Sequence, residues 1–154
     1  MLTDSRSWEK IMSNIGISNT DQIVIYDNSD VISSCRCWFN FIYFGHDPKL
    51  VYILNGGFKK WVREKRKTTN ILADIKISNY KSLEKKELVK NKKFIDQNID
   101  TQKFNVVDAR SKERFEGKVL EPRKGLRSGN IQNSFCLPFN ECLNADKTFK
   151  NNQG

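Results

Sequence analysis

Four arginines, Arg110, Arg114, Arg123 and Arg127, fall within eighteen positions of this 154-residue chain, separated by Gly117, Pro122, Gly125 and Gly129. Glycine lets a backbone approach a ligand closely. Each guanidinium is a planar, permanently charged fork that matches a carboxylate or another oxyanion. Such a stretch can wrap donors around a small anion. The bland alternative is a solvated loop whose arginines form salt links to Glu113, Glu116 or Glu121, pairs that stabilise little when exposed. The arginines follow an apolar strand, FNVVDA, whose run ends at Asp108-Ala109-Arg110, and a second strand, SFCLPF, closes the segment.

The elements that must position such a loop are legible upstream. Residues 21–28, DQIVIYDN, read as a strand ending in the polar loop Asp27-Asn28-Ser29-Asp30. A nearly continuous apolar helix, CRCWFNFIYF, is expected from Cys35 to Phe44, stopped by Gly45. Another strand, KLVYILNGG, precedes a short amphipathic helix, FKKWVREKR, with Phe58, Trp61 and Val62 on one face. Apolar strands alternating with helices predict an α/β fold with a parallel sheet covered on both sides.

The run from Val106 to Arg110, with Arg114, Glu121 to Arg123, Gly125 to Gly129 and Leu137 to Phe139, resembles the start of the second domain of tandem rhodanese-type sulfurtransferases. That family uses thiosulfate or 3-mercaptopyruvate. The strings IVIYDNSDVISSCRCWFNFIYFG and FGHDPKLVYILNGGFKKW are similar to the second half of its first domain. The resemblance runs from about Leu2 to Lys150 and is weak over residues 68–100. Two departures stand out: Gly129-Asn130-Ile131-Gln132-Asn133 replaces the usual Gly-His-Ile-Pro-Gly turn, and Val119-Leu120 replaces a common Glu-Pro pair.

The resemblance implies a rhodanese-like fold made of parts of two domains. Residues 1–67 would be the second half of an inactive domain, 68–103 a linker, and 104–154 the first half of a catalytic domain. A single incomplete sheet built from strands near residues 23, 51, 105 and 135 is a further expectation. Asp27 stands where the family's nucleophilic cysteine would sit, beside a helix N-terminus that stabilises anions. A carboxylate cannot carry a sulfane sulfur, so this half-site is expected to be silent and the active cysteine to lie beyond Gly154. Arg114 and Arg123 would hold the donor's anionic group. The implied reaction moves sulfur from donor to cyanide or a thiol through a cysteine persulfide, with no cofactor. A non-catalytic rhodanese-fold binding module is the alternative, because no candidate nucleophile is visible.

The four cysteines read as structural thiols. Cys35 and Cys37 are two apart on a helix and face different ways, Cys136 lies within a strand, and Cys142 opens a short helix or turn. Without a Cys-x-x-Cys pair, and with His46 alone among histidines, no metal site is expected. The net charge of +9 invites a nucleic-acid reading. Nineteen lysines, sixteen asparagines and fourteen isoleucines instead fit a compositional bias, and the basic run LEKKELVKNKK, 83–93, lacks interleaved aromatics to stack bases. No specific nucleic-acid partner and no membrane span are expected. The polar, amphipathic N-terminal stretch is unlike a secretory signal, and a reduced, cytoplasmic thiol set is the expectation.

Overall fold

The computed structural model describes residues 2–151. The chain divides into two compact units: one runs to Val89 and includes Asp146–Thr148, the other spans Lys90–Ala145 and resumes at Phe149. Each contains a pair of short parallel strands.

In the first unit α1 (Ser5–Asn14) is capped by Asp4, whose carboxylate accepts from the Ser7 N–H at 3.0 Å. Trp8 and Met12, one turn apart, bury the inner face of this helix. β1 (Ile23–Ile25) pairs in parallel with β2 (Val51–Ile53), Ile23 opposite Val51. The crossover between them is α2 (Ile32–Tyr43), whose Phe41, Ile42 and Tyr43 join Trp8, Met12, Ile23, Phe44, Val51 and Tyr80 in one core. Trp8 stacks on Phe44 at 4.8 Å and meets Phe41 edge-on at 5.1 Å. Gly45 turns the chain out of α2 at φ +85°, and a Cβ there would lie 2.7 Å from the Leu83 carbonyl. A short helix, α3 (Gly57–Arg63), follows β2.

Segment 78–85 belongs to this unit. Ser78 and Lys85 donate backbone N–H groups to the carbonyls of Ser13 and Tyr43, at 3.0 and 2.7 Å. Tyr80 is 1 % exposed and donates to Nδ1 of His46, itself 1 % exposed. The Asp21 carbonyl, 3.1 Å from Nε2, can only accept, so Nε2 carries a proton; in the neutral imidazole Nδ1 is then the acceptor of the Tyr80 hydroxyl.

The second unit opens with α4 (Lys92–Thr101), and Asn98 on its last turn brackets Phe104: Nδ2 donates to the Phe104 carbonyl at 2.8 Å and Oδ1 accepts its N–H at 3.2 Å. This fixes the entry into β3 (Val106–Asp108), which pairs in parallel with β4 (Ser134–Cys136). A four-residue helix, α5 (Lys112–Phe115), lies between them, and Cys142 closes, rather than opens, the 3-10 turn Phe139–Cys142.

Four expectations change. The strands form two separate two-stranded sheets among the described residues, β1 with β2 and β3 with β4, not one four-stranded sheet. Neither sheet is fully covered on both sides: Val24, Tyr26, Tyr52, Val107 and Phe135, which alternation turns to the other face from their strand neighbours, are about half exposed. Phe58 stacks on Tyr26 at 5.8 Å and Trp61 borders the same open face, but Val62 is half exposed. Finally, α2 begins at Ile32 instead of Cys35, for a reason found in the loop before it.

Candidate functional site

Asp27 follows β1 and its carboxylate occupies the N-terminus of α2. Oδ1 accepts from the backbone N–H groups of Ser29 and Val31, both at 3.1 Å; Oδ2 accepts from the Ser34 N–H at 2.6 Å and the Ser29 hydroxyl at 3.0 Å. The Ser29 hydroxyl also accepts from the Ser33 N–H at 3.3 Å. Two loop side chains thus satisfy donors that helix ends otherwise leave open, which starts α2 three residues early. Asp30 and Val31 both take left-handed backbone angles, φ +57° and +61°, to bend the loop around the carboxylate. Gly57 allows close approach from the other side: a Cβ there would lie 2.8 Å from the Asp27 carbonyl. Burial works against the charge of Asp27, but the hydrogen bonds from Ser34 and Ser29 outweigh it and hold the carboxyl below its ordinary range. The anion cradle exists here, and the chain's own carboxylate fills it.

The second site lies beyond β3. Asp108, Arg110, Arg114, Glu121, Arg127 and the Gly129 turn border an open cavity of ≈ 820 Å³. Arg110 has donors committed on all three nitrogens: Nε donates to both Asp108 oxygens at 3.0 Å, Nη1 to Glu121 at 2.7 Å, and Nη2 to Asp108 at 2.5 Å and to the Gly129 carbonyl at 2.7 Å. Arg114 reaches the same Glu121 through Nε at 3.2 Å and through Nη2. The Glu121 side chain is only 3 % exposed, so its charge is compensated by two guanidiniums rather than by water. The hydrogen bond from Arg110 holds the Asp108 carboxyl below its usual range, and that from Arg114 does so for Glu121.

Of the residues singled out from sequence, Arg114 borders the cavity while paired to Glu121. Arg123 sits on the exposed loop, makes no side-chain ion pair among the described residues, and is not part of the cavity wall. Arg110 and Arg127 do line the wall. Their spacing was visible in the sequence; their division into a saturated and an unpaired guanidinium was not. All four thiols are free. Burial pushes Cys35, Cys37 and Cys136 above the ordinary thiol range, away from the thiolate. Among the described residues no group of three or more His, Cys, Asp or Glu side chains is placed to hold a metal, and no helix is long and apolar enough to cross a membrane.

The rhodanese-like domain family matches residues 2–64. The chain is 32 % identical over 145 residues to 3-mercaptopyruvate sulfurtransferase from Mus musculus, covering 93 % of this chain and 48 % of that protein. It is 33 % identical over 149 residues to thiosulfate sulfurtransferase from Rattus norvegicus, covering 95 % and 50 %. Residues 2–64 belong to the rhodanese-like domain family. The crystal structure of Tum1 from Saccharomyces cerevisiae superposes with a TM-score of 0.83 at 29 % identity, over 97 % of this chain and 52 % of Tum1. The chain therefore spans about half the length of the curated relatives it matches. Its rhodanese-like α/β fold with parallel strands agrees with the sequence reading.

Proposed function

We propose that this chain forms the donor-binding wall of a sulfurtransferase that moves sulfane sulfur from thiosulfate or 3-mercaptopyruvate to a thiol or cyanide. The observation that carries this reading is the arginine-lined cavity following β3, in a chain aligned over nine-tenths of its length with sulfurtransferases. In the reaction, a cysteine thiolate attacks the donor's sulfane sulfur. The donor's bond to that sulfur breaks, and the electron pair leaves with sulfite, or with the enolate of pyruvate, which then takes a proton from water. The acceptor then attacks the outer sulfur of the persulfide and the thiolate is regenerated. Arg114 keeps Nη1 unpaired while Glu121 fixes its other edge, and Arg123, on the exposed loop outside the cavity wall, is the second candidate for the donor's anionic group.

None of the four thiols is the sulfur carrier in this reading. Asp27 blocks the cradle of residues 1–67, and three thiols are disfavoured as thiolates. Residues 68–103 connect this silent half-domain to residues 104–154 in this reading, with 78–85 packed into the first unit and α4 into the second. Mass spectrometry of the protein carrying residues 1–154 after thiosulfate treatment tests it: one added sulfur atom should map to a cysteine other than Cys35, Cys37, Cys136 and Cys142. Absence of any persulfide would favour the non-catalytic binding module instead.

A further inference from the structure

Two carboxylates and three guanidiniums line the cavity after β3, so one positive charge is in excess. Its location follows from the pairing. Asp108, Glu121, Arg110 and Arg114 form a closed network in which two negative charges meet two positive ones. Arg110 has donors on all three nitrogens committed within it. Arg114 keeps Nη1 for a ligand, but Glu121 already compensates its charge. That leaves Arg127, which borders the same cavity, is exposed, and makes no side-chain hydrogen bond or ion pair with any described residue.

We infer that Arg127 supplies the cavity's net positive charge and tilts it toward dianionic donors over monoanionic ones. The inference rests on the donor-binding reading above and adds a residue and a selectivity to it. An ion pair such as Arg114–Glu121 can direct hydrogen bonds at a ligand but attracts it little at a distance, since the two charges cancel. An unpaired guanidinium attracts in proportion to ligand charge, so its removal costs a dianion more than a monoanion. Arg110, despite lying nearest the strand end, spends four of its five N–H groups tying Asp108, Glu121 and the Gly129 carbonyl together, and its charge is compensated within that network.

The test is an NMR titration of the 154-residue chain at low salt, following the backbone amides of 127–130 and the Nε–H of Arg114. Thiosulfate is the dianionic probe and pyruvate the monoanionic one. Arg127→Gln should weaken thiosulfate binding about 10-fold, as loss of a charge-assisted contact does, and pyruvate binding about twofold or less. Arg127→Lys should restore most of the thiosulfate affinity, and Arg114→Gln should weaken both probes. Because Arg127 contacts no described side chain, amides of α4 should keep their positions in the variants. Equal weakening of both probes, or none, by Arg127→Gln overturns the inference; if Arg114→Gln or Arg123→Gln still abolishes binding, the donor-binding reading survives it. A wild-type chain that shows no saturable shift with either anion overturns both.

Discussion

The Asp27 carboxylate lies 2.6 Å from the Ser34 backbone nitrogen and accepts its N–H, so a side chain from the strand end caps a helix that starts five residues later. The same geometry that would hold a catalytic anion holds a structural one. Replacing Asp27 with Ala should therefore behave as loss of a helix cap and leave the Ser29, Val31 and Ser34 N–H groups unpaired, destabilising the first unit by about 1–2 kcal/mol. Urea denaturation followed by tryptophan fluorescence, which reports Trp8 and Trp38, measures it. An unchanged midpoint would mean that water satisfies the cradle equally well.

Acid should expose the same contact. An unfolded aspartate titrates near ~3.9, and the folded Asp27 titrates lower. Its stabilisation is complete above the unfolded value and is lost as pH falls through the folded one. Asp108 and Glu121 shift in the same direction, so the second unit should follow the same course. Between pH 6 and 5, ~1–2 units above the unfolded aspartate value, the melting temperature should be flat, and below about 4 it should fall. In Asp27→Asn the first unit's acid fall should be shallower. A wild type and variant with parallel acid profiles would remove Asp27 from this account.

The buried pair His46–Tyr80 makes a separate prediction. Tyr80→Phe preserves the ring stacked on His46 at 5.8 Å but deletes the hydroxyl that donates to Nδ1. A buried acceptor is then left without a partner, at a cost of about 1–3 kcal/mol. Because Tyr80 fastens segment 78–85 to α1 and α2, hydrogen exchange should quicken at the Leu83 and Lys85 amides, which donate to Phe44 and Tyr43. Unchanged protection there would show that Ser78 and Ser82 hold the segment by themselves.

What the sequence disclosed and what it hid divide along a physical line. Apolar runs ending in polar loops located β1 to β4, and Gly45 marked the end of α2, because strand periodicity and left-handed turns are local properties. The start of α2 was misplaced because its cap comes from Asp27 and Ser29, not from the adjoining residue, Val31. Tyr80 sits in a stretch that reads as a polar linker, and only its distant partner His46 reveals it as core. The arginine cluster was plain, but which arginine is saturated depends on Glu121, which lies 11 residues from one partner and 7 from the other. Charge pairing across a loop leaves no periodic trace.

The 154-residue chain should give no turnover with thiosulfate and cyanide above a buffer blank. Nucleophilic sulfur chemistry needs a thiolate, and burial pushes Cys35, Cys37 and Cys136 away from that form. Cys35 lies one residue beyond Ser34, so it is near the α2 cradle, yet the Asp27 charge adds to its burial in raising the thiol. Clear turnover would mean that one of the four thiols has been misjudged, and alkylation mapping would identify it. In any protein that joins these residues to a sulfur-carrying cysteine, the proposed function predicts that Arg123→Ala raises the apparent KM for the donor and lowers kcat/KM by ~10-fold or more, as removal of a charge-assisted contact does. Since Arg123 makes no ion pair among the described residues, its loss should leave the melting temperature unmoved; unchanged kinetics would assign it to the solvated surface.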